Sequence, residues 1–147
     1  MRGRLSTRST DMKIALVLTD SSLECERAFR MLAECARAFS AEVSVHVILE
    51  DLYRLQSAGI SLGIPLPPDT VGSAKEKAGE KVRRLWRRAT GSEEAEVETH
   101  LTVGELMSEV RRFTGEKAPD MIVWGCVGTG DLCRILEEID IPSLIIK

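Results

Sequence analysis

From Lys13 to Lys147, apolar runs of strand length alternate with segments of helical period, and that alternation leaves few architectures open. Lys13–Thr19 (KIALVLT) is a continuous apolar run, as a strand needs when both of its faces are covered. Val43–Leu49 (VSVHVIL), Glu96–Thr102, Asp120–Trp124 (DMIVW) and Ser143–Ile146 supply the other strands. Ser21 opens a first helix, with Glu24 completing a capping box and Phe29, Leu32, Ala33, Ala36 and Phe39 forming its buried stripe. Ala74–Ala89 reads as a second helix that buries Ala74, Ala78, Val82, Leu85, Trp86 and Ala89. Thr102 and Glu105 form another capping box ahead of a third helix with Leu106, Val110 and Phe113 on one side. Leu132, Ile135, Leu136 and Ile139 mark a short fourth. The order βαβαβαβαβ with short, right-handed crossovers predicts an α/β fold, an open parallel sheet with helices on both faces.

At 147 residues the chain suffices for one domain, and a hydrophobic content of 44% is enough for its core. A net charge of −3 offers no general field for nucleic acid or an anionic membrane. No apolar run approaches the ~20 residues of a membrane helix, and the basic MRGRLSTRST leads into no apolar secretory segment. The expectation is one soluble, cytoplasmic domain over residues 12–147. Residues 1–11 are an extension, a misassigned start or a cloning remnant, with Met12 a candidate start.

Cys25, Cys35, Cys126 and Cys133 form no CxxC pair, and neither His46 nor His100 lies near a pair of them, so no zinc site is expected. They read as small hydrophobes of a cytosolic core, with Cys126 and Cys133 flanking a glycine loop. His46 falls inside a buried strand pattern and reads as a hydrogen-bonded core histidine. One connection is abnormally long: Glu50–Ser73 shows no clear period, contains Gly59, Gly63, Pro65, Pro67, Pro68 and Gly72, and is rich in apolar residues from Tyr53 to Leu66. It leaves the carboxyl end of the second strand, where open α/β sheets bind ligands, and so suggests a lid, a partner-binding surface or a loop packed on its own domain.

Asp20 ends the first strand, and the loop after the fourth reads Gly125-Cys126-Val127-Gly128-Thr129-Gly130-Asp131. If these strands are neighbours, a carboxylate faces a glycine loop at a helix start across one crevice. That suits a nucleotide: the acid accepts from ribose hydroxyls or an adenine amine while loop N–H groups cradle phosphate. Equally, Asp20 could cap the first helix and the glycines make a tight turn. The sequence holds no GxxxxGK(S/T), no GxGxxG after the first strand, no GxSxG elbow and no receiver-type acidic constellation. It shows no nucleophile–base pair, so no catalytic residues are assigned.

KIALVLTDSS and AEVSVHVILE resemble the amino half of the universal stress protein family; EVETHLTVGELMSEVRRF, PDMIVWGCVGTG and IPSLIIK resemble its carboxyl half. The resemblance covers nearly all of residues 12–147. It implies an adenine-nucleotide α-hydrolase-like sheet of order 3-2-1-4-5 and a homodimer, commonly formed through the last strand. In ATP-binding members it implies adenosine held at the first strand's Asp and the second strand's end, with phosphates on a G-x2-G-x9-G-(S/T) loop. Carried over, Asp20 with Thr19 matches the acid, Val47 the adenine-contacting strand end, and Gly125 and Gly128 the G-x2-G, followed by Thr129 and Gly130. The pattern then breaks: Glu138 stands where the third glycine belongs, Ile139 follows it, and the segment from Gly125 to Pro142 is short for the family. Asp131 adds negative charge where phosphate would sit. Losing two or three charge-assisted hydrogen bonds, at about 1.5–3 kcal/mol each, would weaken binding well over a hundredfold.

Three readings follow. The first is a non-catalytic, dimeric stress-response or regulatory binding protein with weak or lost ATP binding, whose cleft could hold an adenosine-like or other small ligand under the Tyr53–Pro68 segment. The second is an ATP or AMP binder using Asp20 and the Gly125–Gly130 loop, with slow hydrolysis left open. The third is a protein-interaction module acting through residues 52–68.

Overall fold

A computed structural model of the chain describes residues 12–147. Five strands form one parallel sheet: β1 (Lys13–Thr19), β2 (Glu42–Leu49), β3 (Glu98–Val103), β4 (Met121–Gly125) and β5 (Ser143–Ile146). Their order across the sheet is β3-β2-β1-β4-β5, so β1 is central. Its residues from Ile14 to Thr19 are all buried, the outcome of helices covering both faces of an uninterrupted apolar run.

The helices are α1 (Glu26–Phe39), α2 (Glu50–Ser61), α3 (Thr70–Thr90), α4 (Leu106–Lys117) and α5 (Thr129–Glu138). Side chains alternate across the sheet and divide the interior in two. Leu16, Leu18, Val45, Val47 and Val123 pack with Phe29 and Leu32 of α1 and with Val82 and Trp86 of α3. Ala15, Val17, Ile48, Ile122 and Trp124 pack on the opposite face with Met107, Val110 and Phe113 of α4 and Ile135 of α5. The buried set of α1 is Ala28, Phe29, Leu32 and Cys35, whereas Phe39 is 54% exposed, so the stripe ends a turn earlier than its spacing predicts.

Three local expectations are corrected. The first helix begins at Glu26, not Ser21, and neither α1 nor α4 has a side-chain hydrogen bond from its own N-cap residue. Residues 20–24 instead form a turn, in which the Ser22 hydroxyl accepts from the Thr19 N–H at 2.9 Å and the Ser22 N–H donates to the Thr19 carbonyl at 3.1 Å. The connection from Glu50 to Ser73 is not aperiodic: it holds all of α2 and the first turn of α3. Among the described residues no helix is long and apolar enough to cross a membrane. Residues 1–11 lie outside the described residues.

Candidate functional site

β1 and β4 are parallel neighbours, with Leu16 opposite Val123 and Val17 opposite Trp124, so the segments leaving their carboxyl ends share one crevice. This brings the turn Thr19–Cys25 to the loop Gly125–Gly128, at the point where the strand order reverses and open α/β sheets take ligands.

Asp20 does not cap the first helix. Its carboxylate accepts the backbone N–H of Asp51 at 3.1 Å and of Leu52 at 3.0 Å, the second and third residues of α2. An N-cap side chain normally satisfies these donors, and here the acid at the end of the neighbouring strand β1 does so. A carboxylate offers about four lone-pair positions, so Asp20 can still accept from a ligand hydroxyl. Thr19 is 7% exposed, and its hydroxyl lies 2.9 Å from Ser21 Oγ and 3.2 Å from Ser22 Oγ. The side chain of Val47 is fully buried in the core opposite Leu18, two residues before the end of β2.

The loop glycines differ in what they do. A Cβ on Gly125 would lie 2.4 Å from Leu18 Cδ2 and 3.1 Å from Ala28 Cβ, so glycine there permits close approach of β4 to β1 and α1. Cβ atoms on Gly128 and Gly130 would meet nothing within 4 Å, which leaves their backbone open to solvent or to a ligand. Gly128 is the N-cap of α5, extended at φ −73° and ψ 159°. The helix therefore starts at Thr129, whose side chain lies outside the described residues. Gly130 and Asp131 follow in the first turn, where N–H groups lack intrahelical partners.

Two features of the crevice were not anticipated from the sequence. Cys25 and Cys126 are bonded to each other, with Cα atoms 6.2 Å apart and a sequence separation of 101. This corrects the reading of both as core hydrophobes. Topology held the signal, because adjacent strands each deliver a cysteine at the same end of the sheet. Cys35 is buried and free, and burial, then the neighbouring Glu34, pushes its thiol pKa up. Cys133 is free and exposed. The second feature is Glu50, a 7% exposed acid whose Oε2 accepts the Leu106 N–H at 2.9 Å while Oε1 lies 3.2 Å from Arg54.

His46 lies away from the crevice, under α4. It is buried, lies 3.1 Å from Ser44 Oγ through Nε2, and stacks on Phe113 (centroids 4.1 Å apart) and His100 (4.7 Å). Burial, the nearby His100 and Lys117 lower its pKa to about 4 against an opposing pull from Glu98. A hydrogen-bonded core role is thus what the geometry shows. Among the described residues, no group of three His, Cys, Asp or Glu side chains is placed to hold a metal ion.

The profile of the universal stress protein family matches residues 12–138. The chain belongs to the universal stress protein family. A universal stress protein of Aquifex aeolicus (strain VF5) is 32% identical over 136 residues, covering 92% of this chain and all of that relative. The universal stress protein of Archaeoglobus fulgidus superposes with a TM-score of 0.56 at 25% identity, covering 92% of this chain and 93% of that one. The structure of the Archaeoglobus protein in complex with dAMP superposes at 0.59, with 23% identity and coverage of 92% and 98%. An Arabidopsis thaliana family member solved with AMP bound gives 0.58 at 15% identity, covering 92% of this chain and 91% of that one. The sheet order and the helices on both faces are those of the family's α/β fold.

Proposed function

We propose that this family member is a non-catalytic binding protein whose crevice between β1 and β4 takes the adenosine or mononucleotide end of an adenine nucleotide and grips a triphosphate weakly. The observation that carries this reading is the placement of Asp20 opposite the Gly125–Gly130 loop, with its carboxylate already holding two N–H groups of α2. Family members solved with dAMP and with AMP support the ligand class. The short loop, with Asp131 in the first turn of α5, argues against a strong phosphate grip. The protein acts in the cytoplasm as a homodimer paired through β5, whose Leu144, Ile145 and Ile146 are half-buried at a sheet edge.

A thermal-shift series with adenosine, AMP, ADP and ATP, with and without Mg²⁺, tests the reading. A ligand at ~100 times its Kd adds about 2.7 kcal/mol by mass action. Stabilisation by adenosine and AMP that exceeds that by ATP, and is lost in Asp20→Ala, is expected. Equal or greater stabilisation by ATP would replace this reading with an ATP binder.

A second reading rests on the surface of α2 and the turn after it. Leu55, Ile60, Leu62 and Ile64 are 56%, 67%, 74% and 69% exposed, more apolar surface than one short segment ordinarily leaves in water. As a protein-docking face, this segment would lose its partner on replacement of those residues by Ser while nucleotide-dependent stabilisation persisted.

A further inference from the structure

The bridge between Cys25 and Cys126 lies inside the proposed site: Cys126 is the first residue between the glycines of the G-x2-G loop, and Cys25 is the N-cap of α1. We propose that Cys25 and Cys126 form a reversible thiol–disulfide site, opened by a dithiol and closed by a peroxide, that controls access of an adenine mononucleotide to the Gly125–Gly130 loop. The inference rests on the reading of the crevice given above and adds its regulation.

The loop is held unevenly. Gly125 is wedged against Leu18 and Ala28 and paired with Ile146 of β5, so its hold does not depend on the state of the sulfurs. Beyond it, Cys126 is held by its N–H bond to the Ile146 carbonyl at 2.8 Å and by the bridge to α1. Its φ of 49° is left-handed, a conformation that costs energy for any residue with a Cβ. With the bridge closed, Cys126 is tethered to the start of α1, which restrains the loop that follows Gly125. Opening the bridge removes that tether and leaves the Ile146 hydrogen bond as the hold on Cys126, and Gly128 has open space around it in which to shift.

The two sulfurs differ in access. Cys126 is exposed and Cys25 is buried, so an incoming thiolate attacks Cys126 Sγ. The S–S bond breaks and its electron pair leaves on Cys25 Sγ, at the amino end of α1, where helix N–H groups favour a thiolate. The second thiol of the dithiol then attacks the mixed disulfide and releases Cys126 as a thiolate. Two electrons pass to the protein, which takes up two protons, and the dithiol becomes a cyclic disulfide. In the reverse direction a peroxide oxidises the Cys126 thiolate to a sulfenic acid and leaves as an alcohol or water. The Cys25 thiol then attacks that sulfur and water departs.

The test uses the full chain, dithiothreitol and hydrogen peroxide. Peptide mapping after quenched alkylation should show Cys25 and Cys126 protected in peroxide-treated protein and labelled after reduction, with Cys35 and Cys133 labelled in both. AMP titrations should show at least about tenfold tighter binding to the reduced protein, with Cys126→Ser and Cys25→Ser matching it under either treatment. Failure of the two cysteines to bridge overturns the proposal. Equal AMP affinity in both states also overturns it while leaving the crevice reading intact. Absence of AMP binding in every form, the serine variants included, overturns both.

Discussion

The Glu50 carboxylate accepts the backbone N–H of Leu106 at 2.9 Å, so the first residue of α2 caps the first residue of α4 across 56 positions of sequence. The acid is buried, and removing it would leave a helix donor without a partner away from water. Glu50→Ala should lower unfolding stability by roughly 1–3 kcal/mol, and Glu50→Gln, which keeps an acceptor, by less. Urea unfolding of the three proteins side by side checks both the loss and the ranking.

Reduction of the Cys25–Cys126 bridge removes a crosslink that closes a loop of 101 positions. Because such a crosslink restricts the unfolded chain, stability should drop by roughly 2–5 kcal/mol on reduction. Denaturant titrations with and without dithiothreitol measure the difference. Cys25→Ser, already without the bridge, should show no further response to the reductant.

Gly125 and Gly128 should respond oppositely to an added methyl. Gly125→Ala forces a Cβ to within 2.4 Å of the fully buried Leu18 side chain and should destabilise the fold by about 1–3 kcal/mol. Gly128 has a negative φ and free space beside it, so Gly128→Ala should fold normally and alter only ligand binding. Melting temperatures and AMP titrations of the two variants separate packing from recognition.

His46 should make the fold sensitive to mild acid. Its pKa is near 4 in the folded protein, lowered first by burial, and about 6.5 when the chain is unfolded. Below 6.5 the unfolded state takes up the proton first, so stability is present above that pH and is lost as pH falls toward 4. The loss should amount to roughly 3 kcal/mol across the window. His46→Phe keeps a flat ring between Phe113 and His100 and should flatten the slope of unfolding free energy between pH 6.5 and 4.

β1 was readable because it is buried from Ile14 to Thr19: KIALVLT has no polar residue between Lys13 and Thr19, and its observed limits are the expected ones, whereas β3, which holds no fully buried residue, runs Glu98–Val103 and not Glu96–Thr102. α2 was not readable, for a physical reason. Glu50 is its single buried residue, so no apolar stripe marks it, and Asp20, more than 30 positions away, holds its amino end. The start of α1 was displaced because Ser21 and Ser22 bond within a turn with Thr19 and do not cap a helix. In the crevice, Asp20 and the glycine loop were legible as strand-end features. The bridge between Cys25 and Cys126 depends on two strands becoming neighbours, which local periodicity does not encode.

The grip of Asp20 on α2 sets a toll on whatever enters beside it. A ligand hydroxyl that used the spare lone pairs of the carboxylate would leave these bonds intact, whereas one that drew the carboxylate away would compete with the N–H groups of Asp51 and Leu52 and loosen that helix end. The same helix carries Glu50, which holds α4. If the crevice binds as proposed, its occupancy and the seating of α2 and α4 would be coupled through Asp20 and Glu50.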